Sequence, residues 1–179
     1  VSITTLDGGL ARIMEPRAAA PARRLRTIAA LAQAGVPVGV SVSPLIPFIN
    51  EPELERILDA AAQAGATSAF TVVLRLPWEV NPIFQRWLER HFPERAARVM
   101  ARVREMRSGR DYDPRFGARL RGEGVWADLI AQRMASAALV MGVMLCVSFT
   151  RRAGARRLRA VGARARVPEA CGRSRPART

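Results

Sequence analysis

Apolar positions follow two rhythms along the first hundred residues of this chain. Val36, Val38, Val40 and Val42 recur at every second position, with small Gly39 and Ser41 between them, and Pro44 and Pro47 end the run. β-Branched residues at period two suit a pleated strand. Apolar or small character on both faces is that of a parallel strand under helices, and proline stops ladder pairing. On either side the period changes to that of a helix. Leu25, Ile28, Leu31 and Ala32 share one face, as do Leu54, Ile57, Leu58 and Ala61. Helices are therefore predicted from Pro21 to about Ala34 and from Pro52 to Ala64, the second opened by Asn50 as N-cap with Pro52 in the first turn.

The unit repeats at thirty residues. Ala32-Gln33-Ala34-Gly35 returns as Ala62-Gln63-Ala64-Gly65, each closing a helix with glycine and each followed by a strand that ends in proline, Pro47 or Pro77. A helix-loop-strand period of this length reads as a β/α repeat with right-handed crossovers. Val1–Leu6 reads as a preceding strand ended by Asp7-Gly8-Gly9, Leu10–Met14 as a short helical turn, and Ala69–Leu76 as the next strand, with Arg75 late in it. The three strands are expected to lie parallel and adjacent in chain order. Asn81-Pro82 is predicted to cap a helix carrying Ile83, Phe84, Trp87 and Leu88. Pro93 starts another, with Val99, Met100, Val103 and Met106 facing inward. From Ser108 to Gly124 four glycines and four arginines fall without apolar period, which predicts a long loop. Val125–Met134 returns to helix.

From Ala135 to Phe149 the chain is almost wholly apolar. Fifteen helical residues span roughly 22 Å, short of the about 20 residues a membrane helix needs. Beyond it the composition is arginine, alanine and glycine. All 29 basic residues are arginine, and of the net charge of +14, residues 151–179 carry +9 through ten arginines and one glutamate, leaving +5 on residues 1–150. The basic character belongs mostly to the tail, which is expected not to pack into the core. Cys146 and Cys171 form no CxxC pair, so neither a disulfide framework nor a protein-only metal site is expected. No N-terminal signal peptide is visible, which points to a cytoplasmic protein.

Six stretches carry a resemblance to a known family. They are SITTLD (Ser2 to Asp7), MEPRA (Met14 to Ala18) with Arg24-Leu25, AGVPVGVSVSPLIP (Ala34 to Pro47), LRLP-x-EV (Leu74 to Val80), AARVM (Ala96 to Met100) and GRDYDPRFGARLRGEGVWADLI (Gly109 to Ile130). Residues 1–134 resemble the C-terminal part of the bacterial radical SAM proteins related to spore photoproduct lyase, the DNA repair photolyase-like group. The resemblance implies an α/β fold: a partial (β/α) barrel fragment of about three parallel strands, the family's fourth to sixth, with helices, plus C-terminal helices. Residues 1–107 would be the second half of the barrel with its following helices, 108–134 the family's C-terminal extension, and 135–179 an unrelated tail that reads like a shifted frame.

The family's [4Fe-4S] cluster sits on a Cys-x-x-x-Cys-x-x-Cys loop after its first strand, and no cysteine here precedes Cys146. The chain is thus expected to lack the first half of the barrel and, alone, to hold neither the cluster nor S-adenosylmethionine (AdoMet). Three thiolates leave one iron free for AdoMet. Where Ile46-Pro47 is followed in the family by glycine, this chain has Phe48.

The AdoMet contacts implied by resemblance are Ser2, Thr4, Arg17, Ser43, Asn50 and Arg75. Hydroxyls and a planar guanidinium suit the ribose and carboxylate of AdoMet. The plainer readings are strand residues for Ser2 and Thr4, a solvated loop charge for Arg17 and an N-cap for Asn50; Arg75 must reach the barrel mouth or find a partner. Arg110, Arg115 and Arg119 alternate with Tyr112 and Phe116, a pattern for nucleic-acid contact through phosphate pairing and stacking. Asp111, Asp113 and Glu123 allow instead a loop tied to the body by ion pairs. His91, at a helix end, reads as a dipole partner. Two other classes remain. One is an arginine-rich protein binding nucleic acid weakly and non-specifically through its tail. The other is a membrane-associated protein anchored by residues 135–149, with Arg151 and Arg152 on the cytoplasmic side.

Overall fold

The computed structural model describes residues 1–145. Cys146, Cys171, the end of the apolar run and the arginine-rich segment lie outside them. The described residues form one mixed α/β arrangement with seven α-helices and three parallel strands in a single sheet. The strands are β1 (Gly39–Leu45), β2 (Ser68–Val73) and β3 (Met144–Leu145), side by side in that order.

The N-terminal segment adds to this sheet at the β1 edge, but only briefly. Ser2 bridges Ser41 in parallel, with Ile3 N–H donating to Ser41 O and Ser41 N–H to Val1 O, both at 2.9 Å. The strand expected over Val1–Leu6 therefore shrinks to one bridge. Its direction and place beside β1 are as expected. The cause lies in Thr5 and Leu6, whose hydroxyl and amide both donate to the Glu53 carboxylate (2.6 and 2.9 Å) and draw the backbone out of the ladder.

Asp7 caps α1 (Gly8–Met14) by accepting from the Gly9 and Leu10 amides. Pro21 opens α2 (Pro21–Gln33), and a 3-10 turn (Glu51–Glu53) leads into α3 (Leu54–Gln63), with Leu54, Ile57, Leu58 and Ala61 buried on its inner face. The helix α4 (Val80–His91) packs on α5 (Pro93–Glu105), whose Val99, Met100 and Val103 are buried, and Met106 just beyond it is buried too. Asn81 is not the cap expected of it. Glu79 precedes α4, and Asn81 Nδ2 donates to Asp111 at 2.9 Å.

The sheet is covered on one side. Val40, Val42, Ala69, Thr71 and Val73 are buried, and α3 packs on β1 with α2 and α7 beyond it. The alternate positions Ser41, Ser43, Ser68 and Val72 are half-exposed, and Phe70 is 38% exposed. The expectation of a strand buried on both faces is thus corrected. Apolar-plus-small runs look alike whether one face or two are covered.

Two further corrections concern the C-terminal part. The loop from Ser108 to Gly124 contains a one-turn helix, α6 (Ala118–Arg121). The helix α7 runs from Val125 to Val140, not to Met134, and the apolar segment from Ala135 joins the body through buried Ala137, Ala138 and Val143. Met144 and Leu145 then pair with Ser68 and Ala69. Arg133 locks α7 to α3, its guanidinium donating to Glu51 and to both Glu55 oxygens at 2.6 and 2.7 Å. This pairing holds the Glu55 carboxyl below its ordinary value. No helix among the described residues is long and apolar enough to cross a membrane.

Candidate functional site

The chain leaves β1 and β2 at their C-terminal ends, and there a groove of about 570 Å³ opens beside the uncovered sheet face. It is lined by Met14 from α1, Ser43 and Ile46 at and just past the end of β1, Leu74 and Arg75 beyond β2, and Phe84 and Trp87 on α4. The last two rings stack with centroids 5.6 Å apart. Trp87 is oriented by its indole N–H, which donates to Ile13 O at 3.0 Å and ties α4 to α1.

Of the six residues expected to touch AdoMet, the fold brings two to this groove, Ser43 and Arg75. Ser43 repairs the ladder. The register between β1 and β2 breaks after Val42, and the Ser43 hydroxyl accepts the Val72 amide at 2.9 Å in place of a carbonyl. Arg75 has its Nη2 3.5 Å from the Tyr112 hydroxyl, and its Nε is buried without a hydrogen-bond partner.

The other four are used elsewhere. The Thr4 hydroxyl donates to Glu15 at 2.7 Å, and Arg24 donates to the same carboxylate oxygen and to Ser2 O, both at 2.9 Å, so Ser2 and Thr4 belong to an internal network. Arg17 is exposed in the turn after α1. Asn50 is fully buried and makes no cap bond. Its Oδ1 accepts the Ile46 amide at 2.7 Å, and its Nδ2 donates to Thr4 O at 2.7 Å and Pro44 O at 2.9 Å. Phe48, where the resemblance has glycine, adopts a φ of 61° that glycine takes freely. Its ring lies 4.0 Å beneath the Arg98 guanidinium, and its carbonyl accepts from Arg95.

In the loop, ion pairs dominate. Arg115 donates to Asp113 through its side chain and backbone and to Glu123 at 3.1 Å, which holds the Asp113 carboxyl down to about 2. Arg104 pairs with Asp111 at 2.6 Å. Arg119 lies over the Phe116 ring at 5.2 Å, while Phe116 is 87% exposed and Arg110 is exposed. Arg115 and Tyr112 are therefore engaged within the chain. His91 closes α4 among its last-turn cations and leans on Trp87 at 5.5 Å.

The loop is anchored by a residue that sequence reasoning passed over. Arg107 is 1% exposed, and its guanidinium donates to Leu74 O at 2.9 Å and to Ala118 O, clamping the end of β2 to α6. Burial pulls its pKa down, and the charge of Asp113 opposes this. The signal was present: Arg107, in the turn just after α5, follows Val99 and Val103 at four-residue spacing and continues the buried side of that helix. Glu15, Arg24 and Glu53 were likewise missed as organisers.

No group of three or more His, Cys, Asp or Glu that could hold a metal ion occurs among the described residues. They also contain no cysteine, so they do not fit the thiolate set of an iron-sulfur cluster.

Three proteins are similar to the chain, all uncharacterized, one from Mycobacterium bovis and two from strains of Mycobacterium tuberculosis. Each is 32% identical over 124 residues, which cover 68% of this chain and 35% of theirs. The chain spans about a third of the length of these curated relatives. No protein-family profile and no solved structure matches.

Proposed function

We propose that residues 1–107 are the second half of a (β/α) barrel of the radical SAM, photoproduct-lyase-like kind with residues 108–134 as its C-terminal extension, and that the chain does not cleave AdoMet by itself. One observation carries this reading: a parallel sheet with one buried face under α3 and one half-exposed face, and a groove at the C-terminal ends of its strands, where barrel sites lie. A closed barrel has a side-chain-filled lumen on the face opposite its helices, and the half-exposed row from Ser41 to Val72 occupies that position. In this reading the cluster ligands and most AdoMet contacts belong to the first half of the barrel. This chain contributes the groove lining and the network of Thr4, Glu15, Arg24 and Asn50 that fixes it. The setting would be that of a cytoplasmic DNA-repair protein. The relatives are long enough to carry the remainder.

The test uses both lengths of chain. Reconstituted anaerobically with iron and sulfide, a full-length Mycobacterium tuberculosis relative should develop broad cluster absorbance and release 5′-deoxyadenosine from AdoMet. This chain, treated alike, should do neither. A relative that takes up no cluster, or a stoichiometric cluster on this chain alone, would refute the reading.

A further inference from the structure

The groove beside β2 has apolar walls and one cation that no carboxylate meets. Elsewhere Arg24, Arg104 and Arg115 pair with Glu15, Asp111 and Asp113, whereas Arg107, whose charge acts on that of Arg75, donates to backbone carbonyls. Arg75 takes part in no ion pair among the described residues. Its contact is the neutral Tyr112 hydroxyl at 3.5 Å, and its Nε donor is buried and unmatched. A partly desolvated guanidinium with an unmet donor favours an anion beside it. The same groove is lined by the stacked Phe84 and Trp87 rings and by Ile46 and Leu74. At about 570 Å³ the space is that of a small-molecule site.

We infer that this groove binds a small carboxylate with an apolar, ring-sized body, held at the carboxylate by Arg75 and at the ring by Phe84 and Trp87. The guanidinium fork matches a carboxylate in plane and charge. The inference stands on the groove and not on the barrel reading.

The probe is 4-phenylbutyrate against its neutral isostere 4-phenylbutyramide, titrated into the whole chain by calorimetry and by the indole N–H resonances. The acid should bind in the millimolar range and shift Trp87, with Trp78 and Trp126 unmoved. The amide should bind about tenfold more weakly or worse, the loss expected of one charged hydrogen bond. Arg75→Gln should abolish the difference, Arg75→Lys should retain part of it, and Trp87→Leu should weaken both ligands alike. Equal binding of acid and amide by the native chain, no binding of either, or a shift confined to other tryptophans would overturn the inference. So would an acid preference that survives Arg75→Gln, which would assign the anion to the arginine-rich segment.

Discussion

Asn50 is the residue on which the groove lining depends. The turn from Ile46 to Asn50 leaves the Ile46 amide and the Thr4 and Pro44 carbonyls without ladder partners, and a carboxamide both accepts and donates. Asn50→Ala should therefore destabilise the chain by about 2–4 kcal/mol, because several buried polar groups lose their partners at once. Urea unfolding measures this, and a loss below about 0.5 kcal/mol would show that water replaces the side chain. Asn before Glu-Pro reads as an N-cap because local rules see only the following turn; the demand that won comes from Thr4, forty-six residues away. Asp113 gives a pH signature. Its carboxyl is depressed from 3.8 to about 2 by the Arg115 side chain and backbone amide. Its stabilising contribution is thus complete above 3.8 and lost as pH falls toward about 2. Thermal melts across that window should fall more steeply for the native chain than for Asp113→Asn; parallel curves would contradict the pairing.

Among elements, the thirty-residue repeat has a physical contact behind it. Gly65, which ends the second copy, has φ +99°, and a Cβ built on it would lie 2.6 Å from the Cβ of Ala32 in the first copy. Gly35, its counterpart, has φ +74° and open space around that position. Gly35→Ala should cost about 1–2 kcal/mol for the left-handed backbone alone. Gly65→Ala should cost a further 1 kcal/mol or so, since α2 and α3 must also separate. Equal losses in denaturant titrations would mean that the two helices do not meet there. The strands and helices at period two or 3.6 were legible because one buried face imposes that period. Ala135–Leu145 was not: a run with almost no polar residues has no period to read, although Met134, Ala137, Ala138 and Val143 are buried while Leu139 and Val140 are more than 80% exposed.

For the whole molecule, parallel order could be read from helix-strand alternation, because parallel neighbours need a crossover between them. How many faces of the sheet are covered could not, since Gly39, Ser41 and Ser43 suit a lumen, a ligand or solvent equally. The groove was half legible: Arg75 stands out in an apolar strand, whereas the aromatic wall reads in sequence as ordinary helix core. The central claim is that this sheet presents one buried and one open face, and neighbouring residues of β2 test it. With Cys146 and Cys171 replaced by serine, maleimide labelling of Phe70→Cys on the open face should run at least about tenfold faster than that of Ala69→Cys, which lies 1% exposed under the helices and is reached only by local opening. Labelling of Phe70→Cys as slow as that of Ala69→Cys would mean that this face is already covered, and the half-barrel reading would fall.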